Sequence, residues 1–361
     1  MKINKLNLVN FRNYEEVEVE FQKGVNIIIG DNGVGKTNLV EAIDYLTLGK
    51  SFKTNDEKEL IRFNQEFAKI ELEFDRKEKT TLKAVISKEG KKISYNDIEL
   101  KKLSELSGKL IDVLFIPEDV GFFKESPSER RRFLDINLSS LDTSYLLALS
   151  TYKKLLKERN AILKEENVDK TYVEIIDEKM IGIQYQIVTH RKKIISKLNS
   201  MINEKYQNLD NSSNKVKLVY LTEVERTNSK EEYVKEMKKR YQDEFESDVK
   251  RKATSIGIHR DNLLMFLNGR EIGVYGSQGQ NRLGTLSLKL AMFEILKEEL
   301  KEEPIVILDD VLSELDNEHQ EKLIEELLKI EQVFITCAKE EFKFKNCSTF
   351  VVTKNSVIRR N

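Results

Sequence analysis

Residues 25–37 read Val-Asn-Ile-Ile-Ile-Gly-Asp-Asn-Gly-Val-Gly-Lys-Thr, a β-branched run that ends in the spacing GxxxxGK[ST]. The chemistry that needs this pattern is phosphate binding. Glycines let backbone N–H groups turn inward around phosphate oxygens, and a helix starting directly afterwards adds its positive N-terminal end. Gly30, Asp31, Asn32, Gly33, Val34, Gly35, Lys36, Thr37 and Asn38 are the candidate cradle, and ATP with Mg2+ is the expected ligand pair. Lys36 is placed to reach the β- and γ-phosphates and the Thr37 hydroxyl to ligate the cation. A second candidate group lies far downstream. Ile305-Val-Ile-Leu-Asp-Asp310 is an apolar strand ending in paired carboxylates, Asp309 to hold Mg2+ and Asp310 to act as the base on an attacking water. Taken alone, it could also be an acidic turn after a core strand. A third group, Tyr275-Gly-Ser-Gln-Gly-Gln280, opens a helix expected over 281–300 and offers Ser277, Gly279 and Gln280 to an anion. Taken alone, it too fits an ordinary capped loop.

Positioning these groups takes strands on both sides of a helical stretch. Ile3–Val9, Val17–Phe21, Val25–Ile29, Ala68–Phe74, Thr81–Ile86 and Leu110–Ile116 have strand texture. From Asp135 to about Arg251 the texture is helical and charged. Leu141, Tyr145, Ala148, Tyr152, Leu155 and Ile162 keep a helical spacing broken only at Arg159, and Val173, Ile176, Met180, Ile183, Ile187, His190 and Ile194 keep another. The pair suits a helical hairpin or short coiled coil. A loop over Asn208–Asn214 precedes a helix over Lys230–Arg251, and strands return at Leu263–Leu267, Ile305–Leu308, Gln332–Thr336 and Thr349–Thr353. The expected class is α/β: a nucleotide-binding head in two halves, 1–135 and 254–361, interrupted by a helical arm insertion over 136–253. Two independent domains in series are the rival arrangement, but the phosphate loop and the paired carboxylates fall on opposite sides of the insertion.

Composition narrows the function. The 361 residues are 34% charged and 39% hydrophobic, with 3 Pro and no Trp. No apolar run reaches the roughly 18 residues a membrane-spanning helix needs, and the N-terminus lacks the apolar core of a secretory signal, so a cytoplasmic protein is expected. Cys337 and Cys347 do not form a metal-site spacing with the 3 His. The net charge of −1 gives no global pull on nucleic acid, but residues 151–252 carry 23 Lys+Arg against 18 Asp+Glu, a local +5.

Ser277-Gln-Gly-Gln280 before the Asp309–Asp310 strand resembles the signature motif of ABC ATPases, and Ser313-Glu-Leu-Asp316 resembles the D-loop that follows. Thr336 falls at the switch position, where many ABC enzymes carry His. Asn10-Phe-Arg-Asn-Tyr14, Glu41-Ala-Ile-Asp-Tyr-Leu46, Pro117-Glu-Asp119, Ser126-Pro-Ser-Glu-Arg-Arg-Arg-Phe-Leu-Asp135, Gly257-Ile-His-Arg-Asp261 and Leu308–Asp316 are similar to motifs of the RecF family over nearly the whole chain. Asn262, Gly276 and Glu125 depart from the residues common there. The resemblance implies an ABC/SMC-type ATPase that forms a homodimer on ATP and hydrolyses it slowly. It further implies binding to single-stranded and duplex DNA at gaps or junctions, and work with RecR and RecO in recombinational repair, SOS induction and replication restart. Arg12 resembles a nucleotide-contacting residue of this family's heads. An insertion of about a hundred residues allows short arms only, enough to clamp DNA but not to tether distant segments. Two other readings stay open: a transporter-type ATPase subunit, and a DNA clamp that binds ATP without meaningful turnover, since Asp310 is one methylene shorter than the usual ABC glutamate.

Ser126–Glu129 spells a capping box with Pro127 in the first turn, which puts Arg130, Arg131 and Arg132 in the first, exposed turn of a helix, against the dipole. DNA phosphates or the head's own carboxylates could equally be the reason. The arm clusters His190–Lys193, Lys238–Arg240 and Lys250–Lys252 could likewise meet DNA phosphates, with a solvated helix face as the default for each.

Overall fold

The computed structural model describes residues 1–225, 229–338, 347–354 and 356–360. The elements run β1 (Lys2–Phe11), β2 (Tyr14–Glu20), β3 (Gly24–Ile29), α1 (Lys36–Leu48), β4 (Phe67–Asp75), β5 (Lys79–Ser87), β6 (Gly90–Tyr95), β7 (Ile98–Glu99) and β8 (Asp112–Phe115). Then follow α2 (Pro127–Leu141), α3 (Thr143–Ile162), α4 (Lys170–Asp210), β9 (Val216–Leu221), α5 (Lys230–Arg251), β10 (Asn262–Leu267), β11 (Arg270–Glu271), α6 (Ile272–Tyr275) and α7 (Gln278–Leu300). The last are β12 (Ile305–Asp309), α8 (Asn317–Leu327), β13 (Gln332–Cys337), β14 (Cys347–Val352) and β15 (Val357–Arg360).

Two compact units result, Met1–Asp119 with Phe293–Asn361, and Val120–Met292. The first holds two six-stranded sheets. One is antiparallel, in order β2-β1-β4-β5-β6-β7, and its strands alternate buried and exposed residues, as in β5 (Thr80, Leu82, Ala84 and Ile86 inward). The other, β15-β14-β3-β13-β12-β8, is parallel apart from β15. Its inner strands read as continuous apolar runs, because a parallel strand flanked on both sides has no solvent face. Every residue of β12 and β13 is buried. Between the phosphate-loop strand β3 and the carboxylate strand β12 lies β13, which pairs with both.

The second unit is built on α3, α4 and α5. Both helical stripes expected from the spacing exist, and Arg159 does not break the first. It lies on the buried side of α3 with Tyr145, Ala148, Tyr152 and Ile162. A guanidinium there needs charged partners. Arg159 Nε donates to Asp177 Oδ1 of α4 at 2.5 Å, and Nη1 to Asp248 Oδ2 of α5 at 2.7 Å and to Thr254 Oγ1 at 3.0 Å. A second such hub is Arg191, 1% exposed, which donates to Asp135 Oδ1, Asp261 Oδ2 and the Ile258 carbonyl. The clusters expected as solvated faces therefore divide. Arg191 is internal and Lys192 Nζ donates to the Val224 and Glu225 carbonyls, while Lys238–Arg240 is a solvated face with Lys238 and Arg240 paired at the surface to Glu178 and Glu223, and Lys250, Arg251 and Lys252 are exposed.

Three details depart from the sequence reading. The helix α4 continues through Asp210, so the loop begins at its left-handed cap Asn211 (φ 47°). A strand the helical texture concealed, β9, pairs antiparallel with β10, so Leu263–Leu267 belongs to a small sheet of the arm unit. The unit limits also fall outside 136–253, because α2 packs with the arms: Arg130 Nε donates to Asn262 Oδ1 and Arg131 to the Asp261 carbonyl.

Candidate nucleotide-binding site

The phosphate loop joins β3 to α1. Its glycines are required by space and by backbone angle. A Cβ on Gly30 would lie 2.5 Å from the Val352 carbonyl oxygen, and Gly33 and Gly35 take φ of 81° and 118°. Asp31, Asn32 and Gly33 are exposed, as the lip of a cradle must be, whereas Lys36 is 6% exposed. Lys36 Nζ donates to the Gly30 and Asp31 carbonyls at 2.8 and 3.0 Å, so the ammonium is held across the loop mouth.

A brace that the sequence did not reveal comes from the turn between β1 and β2. Asn13 Nδ2 donates to the Val34 carbonyl at 2.7 Å, and the buried Tyr14 hydroxyl donates to the Gly35 carbonyl at 3.0 Å. Asn38 Nδ2 donates to Asn13 Oδ1, tying the brace to the first turn of α1. Arg12, in the left-handed region at φ 54°, grips Glu41 through Nε and Nη2 at 2.9 and 2.6 Å and donates Nη1 to the Glu59 carbonyl. Glu41, 0% exposed, also accepts the Ser51 hydroxyl, whose oxygen in turn receives the N–H groups of Lys53 and Thr54. Thus the element at Asn10–Tyr14 holds the shape of the loop and of the 51–54 turn. In the sequence this element is marked by its resemblance to a RecF-family motif, which implies that Arg12 contacts nucleotide; in the structure its guanidinium pairs with Glu41.

The two distant motifs meet. Thr37 Oγ1 donates to Asp309 Oδ1 at 2.9 Å across 272 positions of sequence. The same carboxylate oxygen accepts Thr336 Oγ1 at 2.7 Å, and the Thr336 oxygen accepts the Asp310 N–H at 2.9 Å. Burial raises the Asp309 carboxyl above its ordinary range, opposed by the hydrogen bonds from Thr336 and Thr37 and by the nearby Lys53 cation. Asp310 is half-buried and adopts φ 54°, so the backbone leaves the extended conformation of the strand there. Ser313 Oγ donates to the Asp310 carbonyl at 2.8 Å, and Asp316 caps α8 by accepting the His319 N–H.

These groups fit Mg2+ with ATP. One hydroxyl and one carboxylate are few ligands for a resident cation, and among the described residues no cluster of three or more His, Cys, Asp or Glu forms a cage. Mg2+ characteristically takes one or two protein oxygens and completes its shell with phosphates and water.

Ser277 and Gln280 cap α7 reciprocally. Gln280 N donates to Ser277 Oγ at 3.1 Å and Ser277 N to Gln280 Oε1 at 2.9 Å, a capping box. Ser277 and Gly279 are exposed. Gly276 has its own reason: a Cβ there would lie 2.5 Å from the Ile272 carbonyl oxygen. Of the arginines at the start of α2, Arg130 is 4% exposed and donates to the Phe122 and Glu125 carbonyls, which corrects the expectation of an exposed trio. Arg131 is half-buried and Arg132 exposed.

A glycine loop on a parallel sheet, a hydroxyl and a carboxylate converging from the loop and a second strand, and a helical insertion together define the head of an ABC-type ATPase. The pattern of the RecF/RecN/SMC N terminal domain matches residues 2–358. The "DNA replication and repair protein RecF" of Clostridioides difficile (strain 630) is 37% identical over 99% of this chain and 98% of its own. A solved structure described as "the recombination mediator protein RecF-ATP in RecFOR pathway" superimposes with a TM-score of 0.92, 32% identity, and coverage of 100% of this chain and 98% of that one. A head of an SMC protein bound to the C-terminal winged helix of ScpA shares the fold, with a TM-score of 0.58 and 16% identity over 100% and 98% of the two chains. The chain belongs to the RecF family. Among the described residues no helix is long and apolar enough to cross a membrane.

Proposed function

We propose that this chain is a DNA-binding protein of recombinational repair that dimerises on ATP and hydrolyses it slowly with Mg2+, stimulated by DNA. The observation that carries this reading is the contact between Thr37 and Asp309, which unites the phosphate loop with the carboxylate strand. Relatives named for DNA replication and repair, and one solved with ATP and described in the RecFOR pathway, support this reading; its setting, on this proposal, is gapped DNA in the cytoplasm with RecR and RecO as partners.

In this reading the loop N–H groups from Gly30 to Asn38 hold the phosphates, and Lys36 exchanges its two carbonyl partners for phosphate oxygens. Thr37 and Asp309 hold Mg2+, which when bound neutralises charge on the β- and γ-oxygens. Asp310 orients the attacking water and accepts its proton. Ser277, with the N-terminal end of α7, completes the site of a second copy, so two chains pack head to tail around a two-fold axis with two ATP molecules between them. Arg132 and the exposed Lys250–Lys252 cluster contact DNA phosphates without reading sequence.

Mixing two inactive variants tests the shared site. Lys36→Ala and Ser277→Arg homodimers should each fail to hydrolyse ATP, since every site lacks one half. Mixed dimers contain one whole site and should recover at most about half the activity per dimer if the sites act independently. Crosslinked mixed dimers without single-turnover hydrolysis would refute the independent shared site.

A further inference from the structure

We propose that Thr336 is a positioning residue whose hydroxyl sets the metal-holding carboxylate of Asp309 and the backbone of Asp310 as one unit. The proposal rests on the nucleotide-site reading above and assigns a role to the side chain at the switch position, where no imidazole is present.

Strand order sets the place of Thr336. Because β13 lies between β3 and β12, residue 336 sits between the phosphate loop and the carboxylates, in register with Asp309. Side chains paired across neighbouring strands project from the same face of a sheet. Thr336 is 0% exposed, so its hydroxyl must find partners within the protein, and it finds two. It donates to Asp309 Oδ1 at 2.7 Å and accepts from the Asp310 N–H at 2.9 Å.

Each bond answers a need of its neighbour. Asp309 Oδ1 accepts from both Thr37 and Thr336. Thr37 is half-buried and can serve both the carboxylate and a cation, while the buried Thr336 hydroxyl gives its one proton to the carboxylate, so its bond holds that group whichever partner Thr37 takes. Asp310 leaves the extended conformation of the strand for φ 54°, a region unfavourable to residues with a Cβ. A hydrogen bond from its N–H to a fixed acceptor stabilises that turn. Since one hydroxyl makes both contacts, the aim of Asp309 and the direction of the Asp310 carboxylate depend on each other.

The test measures binding as well as turnover. Affinity for a fluorescent ATP analogue is determined in EDTA and in Mg2+ for the wild type, Thr336→Val, Thr336→Ala and Thr336→Ser. The Val variant keeps the β-branched shape and loses only the hydroxyl. Its affinity in EDTA should match the wild type, while the gain on adding Mg2+ should fall about tenfold, the size of one lost hydrogen bond to a charged group. Thr336→Ala should lose the same gain, and Thr336→Ser should keep it and retain single-turnover hydrolysis. Because the Mg2+/EDTA ratio is internal to each protein, a lower folded fraction does not mimic the effect. An undiminished Mg2+ gain in the Val and Ala variants, or a Ser variant as defective as Val, overturns the proposal. A wild-type protein that binds the analogue no better in Mg2+ than in EDTA overturns instead the nucleotide-site reading beneath it.

Discussion

Replacing Arg159 by Met should destabilise the arm unit by about 3–5 kcal/mol, the cost of leaving buried partner charges uncompensated. The figure follows from the surroundings of the guanidinium. Arg159 is 0% exposed and stands 5.0 Å from the centroid of the Tyr241 ring. Its two carboxylate partners on different helices, Asp177 and Asp248, are 6% and 0% exposed. Met fills much of the side-chain volume, so the loss is electrostatic more than a cavity. Burial already holds the Asp177 carboxyl above its ordinary range, and the hydrogen bond from Arg159 opposes that rise. Without Arg159 the Asp177 carboxyl must rise further. The folded variant then binds a proton that the unfolded chain releases, so the penalty is full at neutral pH and shrinks as pH falls. Urea unfolding followed by circular dichroism at pH 7 and pH 5 measures both parts. With a slope of about 2 kcal/mol/M, the midpoint should drop by about 2 M at pH 7 and by less at pH 5. Adding Asp177→Leu and Asp248→Asn to Arg159→Met should recover most of the loss, the Asn still accepting the Ser255 N–H that Asp248 Oδ1 now receives. A penalty below about 1 kcal/mol, or one equal at both pH values, would refute the argument that unpaired burial is the cost.

Lys36→Ala should abolish tight ATP binding, while Asp310→Asn should bind ATP yet not turn it over; undiminished phosphate release by the Asp310 variant would remove it as the base. Tyr14→Phe leaves the Gly35 carbonyl without its buried donor and should weaken ATP binding about tenfold, read by fluorescence titration. The half-buried His259 has its pKa pushed down to about 4 by burial, beside the Tyr152 hydroxyl. The unfolded chain takes up this proton near pH 6.5 and the folded chain only near pH 4, so His259 makes stability fall as pH drops from 6.5 to 4, by about 3 kcal/mol at most. In His259→Asn that part of the pH dependence should vanish. Arg132→Ala should reduce the log–log salt slope of duplex DNA binding by about 0.9, with an unchanged slope returning Arg132 to a purely local role.

The phosphate loop and the carboxylate strand were legible from the residues alone, because their chemistry is local. A glycine spacing that frees backbone N–H groups, a β-branched run and an acidic strand end are each complete within about a dozen residues. The helical arms were legible for a related reason, as amphipathic spacing repeats within one helix. Three things waited for the tertiary structure. Arg159 read as a break in an apolar stripe because its partners, Asp177 and Asp248, lie on other helices, and only their convergence allows a guanidinium at a core position. Arg130 read as a surface cation because a capping box places a residue at a helix start without saying which way that turn faces; it faces the Phe122 and Glu125 carbonyls. Thr336 read as an imperfect substitute for a histidine, since its partners are fixed by which strands are neighbours. Strand order follows from how the whole chain buries its apolar faces. The sequence of Gln332–Cys337 carries the strand, and the packing around it carries the position.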